Sequence, residues 1–144
     1  MATERKAEAV WQGDLMNGSG TITSNTSGAL PELDVSWPSR AEEPNGKTSP
    51  EELIAAAWAA CFAMALSHGL AQGGNAPERL ATSATVTFQP GEGIIKGALT
   101  VVGTVSGLDD AAFKSAADDA KANCPVSKAL AGIPDVTLDA RLEG

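Results

Sequence analysis

Two thiols, one guanidinium and one carboxylate stand out in this sequence as groups able to do chemistry together. Cys61 lies in the middle of "SPEELIAAAWAACFAMALSHG", residues 49–69, a stretch made mostly of alanine and other small apolar residues. Cys124 lies in "ANCPVSK", directly before a proline that suits the first position of a helix. A cysteine at a helix N-cap faces backbone N–H groups and the positive end of the helix dipole, and both favour a thiolate. Arg40 stands in "PSRAEEPNGKTS", residues 38–49. Near a thiol, its fork of donors stabilises the thiolate and orients an oxygen-bearing substrate. Glu51 and Glu52 open the Cys61 stretch. Glu52, three residues after Ser49, fits a capping box, whereas Glu51 is not needed for the cap and could hold an arginine in position. Each group also has a plainer reading. A free cysteine often behaves as a small buried hydrophobe, and a loop arginine is commonly just solvated.

Helical geometry narrows the pairings. Ten residues of straight helix separate Glu51 from Cys61 by about 15 Å along the axis and about 80° around it. Glu51 therefore cannot serve the Cys61 of its own helix. If the two cooperate, the carboxylate comes from a second subunit, with two such helices crossing antiparallel. His68 is the single histidine. It follows Cys61 on nearly the same face but about 10 Å further along, beyond the reach a Cys–His pair needs. It reads as helix-end packing. There is no CxxC, and one histidine with two cysteines cannot assemble a zinc site within one chain.

The elements that must position these groups can be read in outline. Residues 7–13 and 20–28 alternate in the strand manner and are joined by "DLMNGSG", whose Asn17-Gly18 signals a hairpin. A third short run, 32–37, stops at Pro38, and residues 38–49 read as loop. Ser49 as N-cap and Pro50 in the first turn begin a helix that runs to about Gln72 and ends at the glycines 73–74. That helix is apolar almost all round, which implies burial on several sides. Residues 83–89 and 94–107, joined by "PGEG", form a hairpin. Ala84, Val86 and Phe88 share one face of its first strand, and Gly97, Leu99, Val101, Gly103 and Val105 one face of its second. Residues 109–123 form a second helix, with Phe113, Ala117, Ala120 and Cys124 at helical spacing. A short helix restarts at Pro125, and 136–142 close the chain as a strand. The order predicts an α+β fold in one domain over residues 1–144.

Composition excludes several classes of function. The chain has 144 residues, 43% of them hydrophobic and only 4% aromatic. Its net charge is −8, from 18 acids against 10 bases, with no Lys/Arg cluster, so nucleic acid and anionic membranes are not expected partners. The N-terminus, "MATERKAEAVWQG", lacks the apolar region of a secretory signal. No run is expected to reach the ~20 apolar residues of a membrane span, since Leu53–Leu70 is short and Ala-rich. A cytoplasmic location is expected, with both cysteines as free thiols.

Taken together, these residues resemble the OsmC/Ohr family, the osmotically inducible protein C and organic hydroperoxide resistance proteins. The resemblance rests on "SPEELIAAAWAACFAMALS", similar to the family's central helix around its peroxidatic cysteine, and on "CPVSKAL", similar to its resolving-cysteine motif. The opening "AVWQGDLMNGSGTI" and the spacing between the cysteines agree. The resemblance implies an intertwined α+β homodimer, with antiparallel sheets wrapped around a long central helix from each subunit and each active site drawn from both chains. It implies Cys61 as the peroxidatic thiolate, Cys124 as the resolving thiol, and Glu51 as the acid of the "PE" motif. Arg40 matches the arginine that the OsmC branch carries in the loop before that motif. The Ohr branch keeps its arginine in the N-terminal hairpin, and Leu15 to Ser27 contain none here, which points to the OsmC branch.

The implied activity is a thiol-dependent peroxidase in oxidative or osmotic stress defence. It would reduce organic hydroperoxides, and hydrogen peroxide as a further candidate, through a Cys61 sulfenic acid and a Cys61–Cys124 disulfide. No metal, flavin or haem is required. The reductant would be an external dithiol such as a lipoylated protein. Two rivals remain open: a non-catalytic small-molecule binding module with Cys61 lining an interface cavity, and a Cys61–His68 hydrolase, which the helical spacing disfavours.

Overall fold

The computed structural model describes residues 1–143, in two compact units, Met1–Leu53 and the chain from Ile54 onward. The first unit holds a three-stranded antiparallel sheet of β1 (Ala7–Gln12), β2 (Ser19–Asn25) and β3 (Leu33–Val35), in that order. The expected hairpin is present, but Asn17-Gly18 is not what turns it. The left-handed residue is Gly13, with φ +90°. Asp14 then closes the turn: its side chain accepts from Asn17 N–H at 2.7 Å and its carbonyl from Gly18 N–H at 2.9 Å.

The segment read as loop from Pro38 onward begins instead with a helix, α1 (Trp37–Ala41). Ser36 caps it and Ser39 reciprocates: Ser39 N–H donates to Ser36 Oγ at 3.1 Å, and Ser36 N–H to Ser39 Oγ at 3.0 Å. Pro38 falls in the first turn, where its missing N–H would have had no helical partner, so it starts an element rather than stopping one. Arg40 is thus held on a helix. Ser39 Oγ also donates to the Thr48 carbonyl at 3.1 Å, tying the two ends of this segment together.

The long helix α2 (Pro50–Gln72) has the expected start and end. Ser49 Oγ accepts from Glu52 N–H at 3.2 Å, and past the glycines Asn75 N–H returns to the Leu70 carbonyl at 2.9 Å. Glu52 does not complete the expected reciprocal box. Its carboxylate accepts from Thr48 Oγ1 at 2.6 Å, a neighbour one residue ahead of the cap.

The second unit is built on β4 (Arg79–Gln89), β5 (Gly93–Thr104) and β6 (Asp135–Leu142), with α3 (Asp110–Asn123) and α4 (Pro125–Ala129) between the last two strands. β4 and β5 pair antiparallel with Ala84 opposite Leu99 and Val86 opposite Gly97, so the predicted faces meet. β6 runs parallel to β5, with Leu99 beside Leu138 and Val101 beside Ala140. This corrects the expectation of purely antiparallel sheets. The chain leaves β5 through α3 and α4, and such a crossover brings it back to the starting end of the strand it left.

From α2, Trp58, Phe62, Leu66 and Leu70 enter the core at four-residue intervals. There they join Leu99 and Val101 of β5, Phe113, Ala117 and Ala120 of α3, Cys124 and Ala140. Only this stripe of α2 is buried within the second unit. Ala56, Ala57 and Ala60 are exposed, and Met64 is 73% exposed. Contrary to the sequence expectation, α2 is long and apolar enough to cross a membrane by length and composition, with 23 residues and mean hydropathy 1.7. The helix extends beyond Leu53–Leu70, and alanine raises hydropathy without adding bulk.

Candidate active site

The structure brings the four predicted residues together as two pairs, one in each unit. In the second unit, Cys61 on α2 and Cys124 at the α3–α4 junction place their sulfurs 2.8 Å apart, as free thiols within hydrogen-bond reach. Cys61 is partly buried and Cys124 fully so. Cys124 is fixed from both sides. Its N–H donates to the Ala120 carbonyl at 2.8 Å, ending α3, and its carbonyl accepts from Lys128 N–H at 3.0 Å, starting α4. A disulfide needs the sulfurs to close to ~2.05 Å, so only a small approach separates this arrangement from a covalent bond.

The two thiols differ electrostatically. Burial pushes the Cys61 thiol up, and the hydrogen bond with Cys124 pushes it further; the Val126 N–H opposes them. Burial acts on Cys124 in the same sense. There it is outweighed by the hydrogen bond with Cys61, the N–H and hydroxyl of Ser127 and the N–H of Val126, so Cys124 lies below the ordinary thiol value. The two thiols titrate as a pair, with Cys61 moved up and Cys124 moved down. A cation beside Cys61 would favour its thiolate.

In the first unit, Arg40 on α1 grips Glu51 in the first turn of α2. Arg40 Nε donates to Glu51 Oε1 at 3.0 Å and Oε2 at 3.2 Å, and Nη2 donates to Oε2 at 2.8 Å. The Glu51 side chain is 7% exposed and that of Arg40 34%, so the carboxylate is sealed while the guanidinium keeps a solvent-facing part. This two-point geometry fixes the plane of the guanidinium, which a lysine could not reproduce. Arg40 also lines a mostly apolar cavity of 350 Å³ with Trp11, Leu15, Val35, Trp37 and Pro50. His68, read from the sequence as helix-end packing, is exposed on α2.

A family model described as OsmC-like protein matches residues 43–139, a span that contains Glu51, Cys61 and Cys124. The chain belongs to the OsmC-like family. It is 40% identical to "Peroxiredoxin OsmC" of Escherichia coli (strain K12) over 146 aligned residues, covering 99% of each protein. It is 32% identical to "Organic hydroperoxide resistance protein OhrB" of Bacillus subtilis (strain 168) over 121 residues, covering 83% of this chain and 88% of OhrB. Among solved structures, an organic hydroperoxide resistance protein OsmC from Legionella pneumophila superposes with a TM-score of 0.67 at 26% identity, covering 96% of this chain and 97% of that one. The higher identity and fuller coverage toward the OsmC protein than toward OhrB agree with the branch read from the place of Arg40.

In this OsmC-like chain the sequence reading missed two residues beside the thiols, Trp58 and Ser127. Trp58 Nε1 donates to Ser127 Oγ at 2.7 Å. A signal was available: Trp58 precedes Cys61 by three residues and Ser127 follows Cys124 by three, so each shares a helical face with a cysteine. Among the described residues, no group of three or more His, Cys, Asp or Glu could hold a metal ion.

Proposed function

We propose that this OsmC-like chain is a cysteine-based peroxidase that reduces hydroperoxides and works as a homodimer. The observation that carries the reading is the pair of free thiols at 2.8 Å, held by two helices. The Cys61 thiolate attacks the terminal oxygen of a hydroperoxide. An S–O bond forms, the O–O bond breaks, and the alkoxide leaves as alcohol after taking a proton. Cys124 then attacks the sulfur of the Cys61 sulfenic acid; the S–S bond forms and hydroxide leaves as water. An external dithiol reduces the disulfide and is itself oxidised to a disulfide, so no bound cofactor enters the cycle.

A cation beside Cys61 favours its ionisation over that of Cys124, and the partner subunit's Arg40 is the candidate. Glu51 lies ten helical positions from Cys61, about 15 Å along α2, so a site that joins the Arg40–Glu51 pair to a Cys61 thiol would draw that thiol from another chain. The exposed Ala56, Ala57, Ala60 and Met64 face of α2 supplies the surface on which a second α2 crosses. That use of the face accounts for its apolarity without a membrane. Recycling through dithiols, with a lipoylated protein as one suitable carrier, suits a reducing cytoplasm and a role in oxidative or osmotic stress defence.

The test is a thiol count. Reduced protein treated with a modest excess of cumene hydroperoxide should lose both thiols and about two hydrogens in mass, as one disulfide forms. Survival of both thiols would falsify the peroxidase reading and leave a non-catalytic binding module as the better account.

A further inference from the structure

We infer that Trp58 and Ser127 are positioning residues that aim a proton at Cys124 and make it the departing sulfur when the Cys61–Cys124 disulfide is opened. The inference deepens the peroxidase reading and rests on it for the role of the disulfide. Trp58 is 1% exposed and its ring packs against β5 at Gly97, where an added Cβ would fall 2.5 Å from the ring carbon Cζ3. Only glycine leaves room there, so the seat of the indole is fixed. From it, Nε1 reaches Ser127 Oγ at 2.7 Å. An indole N–H can only donate, so the Ser127 oxygen must accept, and its own proton is left to point elsewhere. Ser127 stands three residues after Cys124 in the first turn of α4, on the same face as the sulfur. Its hydroxyl and N–H both act on Cys124 in the direction that favours the thiolate. Facing Cys124 from α2 is Cys61; the charged residues lining the adjoining 410 Å³ cavity with Trp58 and Ser127 are Asp118, Lys121 and Lys128.

The consequence is directional. In disulfide exchange the sulfur that best bears negative charge leaves faster. A thiolate of the external dithiol attacks Cys61 Sγ, forming a mixed disulfide there, and the S–S electron pair departs on Cys124. The second thiolate of the dithiol then attacks its own partner sulfur in that mixed disulfide and releases Cys61 as a thiolate. The dithiol ends as a disulfide and both cysteines are reduced.

The test begins without peroxide, so that its failure is separable from failure of the peroxidase reading, which the thiol count on wild-type protein decides. In a reduced Cys61→Ser background only Cys124 titrates as a thiol. Its ionisation can be followed by thiolate absorbance near 240 nm, free of tyrosinate because the chain has no tyrosine (Tyr 0). Adding Ser127→Ala should raise the midpoint by about one pH unit, about tenfold less thiolate at a fixed pH below it. Ser127→Thr, which keeps the hydroxyl, should restore it. Trp58→Phe, with folding checked by circular dichroism, should shift it in the same direction as Ser127→Ala. In protein that retains both cysteines, Ser127→Ala should slow opening of the disulfide by 2-mercaptoethanol about threefold. No shift in Ser127→Ala, equal shifts in the Ala and Thr variants, or an unchanged opening rate overturns the inference. A folded Trp58→Phe that does not move the midpoint removes Trp58 from the relay.

Discussion

Arg40→Met should destabilise the protein through Glu51 rather than through the lost arginine itself. The substitution removes three contacts of 2.8–3.2 Å and leaves behind a carboxylate whose side chain is only 7% exposed. Breaking a buried ion pair by removing one partner costs about 3–5 kcal/mol. The arginine here is one-third exposed, so water already screens part of the interaction and can reach part of the vacated space, which lowers the expectation to about 2 kcal/mol. Glu51→Gln keeps the shape and one acceptor for Arg40, and should cost about 1 kcal/mol. In the double variant no charge is stranded, so the two losses should fall short of additive by about 1–2 kcal/mol. Arg40→Lys, with a point charge in place of the fork, should lie between wild type and Arg40→Met. The assay is urea denaturation of all five proteins at one fixed concentration, because dimerisation would make stability concentration-dependent. Additivity within about 0.5 kcal/mol would show that the carboxylate is not held by the arginine, and the positioning role of Glu51 would be lost with it. Full peroxidase turnover by Arg40→Lys would likewise show that the orientation of the guanidinium plane does not matter.

Three further outcomes follow from the same geometry. Reduced wild-type protein should release its two thiol protons in separated steps, the first below the ordinary thiol value and the second above it, because burial and Cys124 raise Cys61 while Cys61, Ser127 and Val126 together lower Cys124; a single two-proton step at the ordinary value in a thiolate titration would contradict the pairing. Gly97→Ala should drive a Cβ into the Trp58 ring and cost about 1–3 kcal/mol in denaturant unfolding, with the Cys124 midpoint rising as the indole is displaced; a variant of wild-type stability and titration would show that the ring is not pinned there. Mixing inactive Cys61→Ser chains with inactive Glu51→Ala chains should recover part of the peroxidase activity, since a heterodimer carries one site with both residues intact; absence of recovery after subunit exchange verified by native mass spectrometry removes the cross-subunit site while leaving the chemistry of the thiols.

Much of the scaffold was legible because its signals are local. The start of α2 could be read from Ser49 and Pro50, and the buried face of β5 from alternation at Gly97, Leu99 and Val101, since caps and strand periodicity act over a few residues. The sequence leaves Arg40 in a loop because Pro38 reads equally as a stop or a start; the reciprocal bonds of Ser36 and Ser39 decide for a start. The parallel placement of β6 was not legible, because alternation at Val136, Leu138 and Ala140 is the same in either strand direction.

The sequence by itself determined the chemistry on offer: two thiols, an arginine and a carboxylate, with Glu51 kept from the Cys61 of its own helix by the rise of that helix. Only the tertiary structure decided the pairing. It set Cys124 against Cys61 at 2.8 Å, locked Arg40 onto Glu51, and placed the Trp58 indole on the Ser127 hydroxyl. The reason is range. A helix cap or a strand face is fixed by neighbours in the chain, whereas the acidity of Cys124 depends on a tryptophan far away in sequence and on a glycine that leaves room for its ring.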